Sequence, residues 1–195
     1  MVKKIIIFDV DGVITNSWAS KEAIIQKILE KHDLFHLPWV SDIFGIWLNR
    51  ILLLDKIYEI QAFDKDLVLS EINRELLILE SSVSLIPDTF KFIQENSEKY
   101  GFFTNTSLPK RSLQMIFSDL DLGKYFMELL AYDDGSKKEN IEYVMQVYWA
   151  SPEDVLFIDD KMSHINAVEN TWVNTLHFIE DWVSLEEKVN SIFWK

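Results

Sequence analysis

The chain has 195 residues, the length of one ordinary domain or of a core domain carrying a modest insertion. Its 48% hydrophobic and 26% charged residues suit a folded globular protein, and 32 Asp and Glu against 19 Lys and Arg leave a formal charge of −13, which disfavours nucleic acid or an anionic membrane as partner. With no cysteine, disulfides, zinc–thiolate sites and thiol nucleophiles are excluded.

The first apolar run, Lys4–Phe8, stops at Asp9. It is far short of a signal-peptide core or a membrane span, and no later run approaches spanning length, so a cytoplasmic protein is expected. Its length suits a buried parallel strand. Residues 16–83 then read as helix throughout, with Ser17–Lys31, about Val40–Ala62 and Asp64–Glu80 showing Leu and Ile at three- and four-residue spacings. Ser17 and Asp64 are candidate N-caps. This block carries 7 basic against 11 acidic residues, so it is no basic gripping face. From there on, strand-like runs at Tyr100–Phe103, Met127–Ala131, Asp154–Ile158 and Trp172–His177 alternate with helical stretches at Pro109–Ser118, Lys138–Trp149 and Ser163–Asn170. Strand alternating with helix predicts an α/β fold with a doubly wound parallel sheet, interrupted after its first strand by an inserted all-helical domain. The boundaries expected are 1–15 with 84–195 for the core and 16–83 for the insertion.

Chemistry-bearing residues gather at the ends of the apolar runs. Asp9-Val10-Asp11-Gly12 follows the first, where open α/β sheets bind ligands. Gly12 permits a tight turn and close approach to an anion. A calcium loop would need its glycine and glutamate at other positions, so that reading fails, and two solvated loop aspartates remain the alternative for this fragment alone. Asp119-Leu120-Asp121 repeats the spacing but follows a helical stretch and precedes Leu122-Gly123, the pattern of a helix end. The second run ends Thr104-Asn105, where a hydroxyl can reach a phosphoryl oxygen or cap the next turn. Gly135-Ser136-Lys137-Lys138 opens a helix, and the fourth run ends Asp159-Asp160. Adjacent carboxylates behind a buried strand oppose one another's ionisation unless a cation joins them. With Asp9 and Asp11 they would form an oxygen nest suited to Mg²⁺.

Taken together these residues resemble the haloacid dehalogenase superfamily of aspartyl-phosphate hydrolases. The matching order is DxDG at Asp9–Gly12, Thr104, Lys137 or Lys138, and the acidic pair Asp159-Asp160. The resemblance implies a Rossmann-like core with a helical cap and a Mg²⁺-dependent phosphatase acting on a small phosphorylated metabolite. Asp9 would attack phosphorus to form an aspartyl phosphate, and Asp11 would act as acid and then base. Mg²⁺ would be held by Asp9, the Asp11 carbonyl, Asp160 and Asp159, and phosphate by Gly12, Thr104, Asn105 and Lys137. A phosphomutase or phosphotransferase of the same superfamily is the near alternative, and a non-catalytic binding protein on the same scaffold the distant one. No obligate protein partner is implied.

Two positions depart from the family pattern. Lys138 stands where a proline often follows the motif lysine, leaving the register between Lys137 and Lys138 open, with Lys137 preferred. His164 stands where a third acid often lies, four residues after Asp160, so the metal relies on the acidic pair. His32, His36 and His177 read as packing or surface residues. Trp18, Trp39 and Trp47 read as core before pocket, and Gly45 and Arg50 mark a bend between helices.

Overall fold

The computed structural model describes residues 3–37, 40, 50–80 and 83–194, apart from the side chains of Trp18, Ala19 and Glu80. Trp39, Gly45, Trp47 and the side chain of Trp18 therefore lie outside the described residues, as does the stretch 41–49 of the expected middle helix. The chain divides into two compact units, Met1–Ser17 with Val83–Lys195 and Trp18–Ser82.

In the larger unit five short strands form one parallel sheet. They are β1 (Ile5–Phe8), β4 (Gly101–Asn105), β5 (Glu128–Leu130), β6 (Val155–Asp159) and β7 (Asn174–His177), in the spatial order β5-β4-β1-β6-β7. β1 lies at the centre, with Ile5 opposite both Gly101 and Val155, and Phe8 opposite Thr104 and Ile158. Side chains alternate along each strand, and both faces are apolar, which is why these runs read as unbroken hydrophobics. Ile6, Phe8, Phe102, Leu156 and Ile158 face one layer, formed with α4 (Pro87–Asn96), α5 (Lys110–Asp119) and α8 (Leu185–Phe193). Ile5, Ile7, Phe103, Val155 and Phe157 face the other, formed with α6 (Lys137–Tyr148) and α7 (Met162–Ala167). This is the doubly wound α/β fold that the alternation predicts.

Local signals explain where the helices begin. α4 starts on Pro87, whose fixed φ and missing N–H suit a first helical position. α6 and α8 start from capping boxes, Ser136 with Glu139 and Ser184 with Glu187, each satisfying two backbone donors. The alternation read from the sequence omits α4 and α8. It also omits a two-stranded antiparallel ribbon, β2 (Thr15–Asn16) against β3 (Ser84–Leu85), which is too short to carry a periodic signal.

The smaller unit is helical in its described residues: α1 (Trp18–Lys31), α2 (Arg50–Tyr58) and α3 (Lys65–Glu80). Leu29, Leu34, Leu54, Ile57, Val68 and Ile72 bury together in a core of their own. Asp64 caps α3, accepting the Leu67 N–H at 3.0 Å. The Ser17 hydroxyl, ahead of α1, donates to Asp11 Oδ1 at 2.5 Å.

Candidate active site

The pleat of the sheet assembles the site. Asp9 continues the face of Ile5 and Ile7, Asn105 that of Phe103, and Asp159 that of Val155 and Phe157, so three polar side chains emerge side by side at the carboxyl ends of neighbouring strands. All three are buried. Burying such groups is tolerable only if each finds a partner.

Lys137, the first residue of α6, supplies much of that partnership. Its Nζ lies 2.9 Å from Asp9 Oδ1, 2.7 Å from Asp159 Oδ2 and 2.8 Å from the Asn105 carbonyl, so three acceptors take the three ammonium hydrogens. Lys138 points elsewhere, to an exposed pairing with Glu142 at 3.7 Å. Of the two lysines, Lys137 is the one whose ammonium reaches the carboxylates. Asn105 fixes the start of α6 in return, donating from Nδ2 to the Lys137 carbonyl at 2.8 Å and accepting from Asn140 Nδ2 at 3.0 Å.

The adjacent acids of β6 have unlike surroundings. Asp159 accepts from Lys137, from the Lys161 N–H at 2.9 Å, and from His164 Nδ1, which lies 3.0 Å from both of its oxygens. Asp160 has a buried Oδ1 with no hydrogen-bond partner among the described residues. Oxygens of Asp9, Asp159 and Asp160 lie within 4.8 Å of one another. An orphaned buried carboxylate oxygen beside two more carboxylates is an all-oxygen donor set that fits a hard divalent cation such as Mg²⁺. Gly12, at φ +86°, lets the loop after β1 close onto this corner, and a Cβ there would stand 2.4 Å from Asp160 Oδ2.

Electrostatics follow from the packing. Burial, together with the nearby Asp159 and Asp11 charges, holds Asp9 above the ordinary carboxylate value in spite of Lys137. Burial opposes the charge on Lys137, but Asp9 and Asp159 outweigh it and hold the ammonium above the usual lysine value. Burial likewise opposes ionisation of Asp159, yet donation from His164 and Lys137 keeps it below the usual value. Asp160, desolvated and facing the charge of Asp9, is pushed up to about 6.

Other expected site residues sit differently. Asp11 is not one of the three clustered carboxylates; its Oδ1 accepts from Ser17 and, at 3.3 Å, from Thr15 Oγ1. Thr104 shares the sheet face of Phe8, opposite to that of Asp9, and its hydroxyl donates to the Leu130 carbonyl at 3.0 Å. The Gly12 N–H goes to the Thr15 carbonyl at 2.7 Å. Of the four expected phosphate contacts, Lys137 alone reaches the clustered carboxylates; its ammonium, like the donors of Gly12, Thr104 and Asn105, is engaged within the protein.

Sequence reasoning also set aside two histidines that the fold recruits. His164 reaches back from the first turn of α7 to Asp159. His177, paired with Asp159 in the β6–β7 register, donates from Nε2 to the Asp160 carbonyl at 2.9 Å. The signal for His164 was its place five residues after Asp159, one short loop and one helical turn away. That for His177 exists only across strands.

The comparisons agree with this architecture. The sequence model of the haloacid dehalogenase-like hydrolase family matches residues 6–178. No curated protein matches the chain. Among solved structures, a protein from Lactobacillus plantarum described as a phosphoglycolate phosphatase superposes with a TM-score of 0.72 at 16% identity, covering 90% of this chain and 86% of that one. One from Thermotoga maritima described as a β-phosphoglucomutase gives 0.71 at 19%, covering 94% and 90%. A hydrolase from Bacillus subtilis, described as bound to magnesium, gives 0.71 at 16% over the whole of both chains. At these identities the likeness is one of fold.

Proposed function

The chain belongs to the haloacid dehalogenase-like hydrolase family, and from that premise we propose that it is a Mg²⁺-dependent phosphatase that hydrolyses a small phosphomonoester through an aspartyl phosphate. The observation that carries this reading is the buried Asp9 carboxylate, oriented by Lys137 at 2.9 Å and flanked by the unpartnered oxygen of Asp160.

Asp9 is the nucleophile. Its oxygen forms the new bond to phosphorus as the substrate alkoxide leaves, and Lys137 keeps that oxygen aimed and offsets part of the cost of its burial. Asp11 gives its proton to the leaving oxygen and then takes one from the water that cleaves the acyl phosphate. Ser17 and Thr15 orient it for both transfers. Asp9, Asp160 and the backbone carbonyl of Asp11 would hold Mg²⁺, with Asp159 behind them. Bound there, the ion would offset the clustered negative charge and draw charge from the transferring phosphoryl group. Lys137 is the residue assigned to the phosphate oxygens, with Asn105 holding its backbone carbonyl. The helical unit, Trp18–Ser82, is assigned the role of cap, selecting among substrates.

The test is a phosphatase screen over a metabolite panel and an aryl phosphate, with and without Mg²⁺. Mg²⁺-dependent release of phosphate is expected. Acid-quenched Asp11→Asn should carry one phosphate by intact mass, mapping to Asp9, because the slowed second step lets the adduct accumulate. Phosphate on another residue, or full activity in Asp9→Asn, would overturn the reading.

A further inference from the structure

The two acids that end β6 are one residue apart in sequence and unlike in circumstance. A carboxylate offers about four lone-pair positions. Those of Asp159 face an ammonium, a backbone N–H and an imidazole, in four contacts between 2.7 and 3.0 Å. Asp160 keeps a buried oxygen with no partner among the described residues. Two of the Asp159 donors are built into the chain around it. The Lys161 N–H closes a tight turn two residues on, and His164, in the first turn of α7, folds back over the same carboxylate. The peptide that carries Asp160 runs inside this closed turn, and His177 holds its carbonyl from the neighbouring strand.

We propose that His164 is a positioning residue that divides the work of the acidic pair: by filling the last acceptor positions of Asp159 it makes that residue a fixed structural anion and leaves Asp160 as the member whose oxygen is open to the metal. The inference rests on the Mg²⁺ reading above and adds to it a residue that touches neither metal nor substrate. Asp159 accepts at both oxygens, so Nδ1 must be the nitrogen that carries the proton. Without that donor, Asp159 gains an unsatisfied lone pair inside a cluster only 4.8 Å across. The turn then keeps only the Lys161 N–H as its anchor, and Asp159 competes with Asp160 for the same cation. Outer-sphere partners of this kind change metal affinity by roughly 10- to 100-fold when removed.

The geometry supplies a matched pair of variants. The amide nitrogen of asparagine stands at the same number of bonds from the backbone as Nδ1 of histidine, and leucine has that shape with no donor. His164→Asn should therefore bind Mg²⁺ within about threefold of wild type by isothermal titration calorimetry, and His164→Leu roughly 10- to 100-fold more weakly. Thermal unfolding of the metal-free proteins separates an effect on the fold from an effect on the ion. Wild-type affinity in His164→Leu, or equal weakening in both variants, overturns the proposal, since neither outcome depends on the donor. Should His164→Leu not fold, His164→Asn decides alone: near wild-type affinity supports the donor role and weak binding refutes it. A wild-type chain that binds no Mg²⁺, indistinguishable from Asp160→Asn, defeats the metal reading itself and this inference with it. Binding that is intact in wild type and lost in Asp160→Asn, but indifferent to His164→Leu, defeats only the inference.

Discussion

Asp9-Val10-Asp11-Gly12 and Asp119-Leu120-Asp121 share a spacing and almost nothing else. The first leaves the central strand of the sheet. Asp9 is buried against Lys137, and Asp11 is tethered by Ser17 and Thr15. The second leaves a surface helix. Asp119 is the last residue of α5, and Asp121, at φ +51°, is exposed and pairs with Lys124 three residues on. The lesson is that two carboxylates become chemistry only when burial makes their charge costly and fixed donors offset that cost. In water the same pair is a solvated turn.

The predictions probe this contrast. The largest effect belongs to the proposed nucleophile: Asp9→Asn should lower phosphate release by roughly 10⁴-fold or more, whereas Asp119→Asn and Asp121→Asn should match wild type. Appreciable loss in either of the latter would erase the distinction. The two lysines come next. Lys137→Ala strands Asp9 and Asp159 in the interior without their shared cation and should cost about 3–5 kcal/mol of stability in metal-free urea titrations, with Mg²⁺ restoring part of it. A loss below about 1 kcal/mol would mean the carboxylates relax into water instead.

Mg²⁺ itself should act only on the first cluster. At about 100 times its dissociation constant it should add about 2.7 kcal/mol to unfolding, seen as a raised thermal midpoint. Asp160→Asn should lose most of that gain and Asp121→Asn none of it. The glycines sharpen the comparison further. Gly12→Ala forces a Cβ to 2.4 Å from Asp160 Oδ2 and places a side chain at φ +86°, so it should cost about 1–3 kcal/mol and weaken Mg²⁺ binding. Gly123→Ala, with nothing within 4 Å of the added atom, should be neutral by the same assays. Smallest of all is Lys124→Ala, an exposed pair whose loss should shift stability by at most about 0.5 kcal/mol.

The strands and the acids at their ends were legible in the sequence because a parallel strand buried on both faces must be an unbroken apolar run, and a carboxylate directly behind one is conspicuous. α8 announces itself as well, through Ser184 with Glu187 and then Leu185, Val189 and Phe193 on one face; the strand–helix alternation simply ends before reaching it. The partners of the acids were far less legible. Lys137 meets Asp9 across 128 positions of chain, and no local rule separates it from Lys138. Thr104 has the residue type for a phosphate contact, but the pleat turns it to the opposite face, where the Leu130 carbonyl takes its hydrogen.

The sequence by itself therefore determined the sheet, its winding, and the positions of Asp9, Asp11, Asp159 and Asp160 at the strand ends, since each follows from local hydrophobic patterning and from where the apolar runs stop. Only the tertiary structure decided which lysine serves them, that Asp159 is saturated while Asp160 keeps an open oxygen, and that His164 and His177 hold the acidic turn. Those outcomes depend on which donors the folded chain brings within about 3 Å of a buried acceptor, a quantity set by the register of strands and helices far apart in sequence.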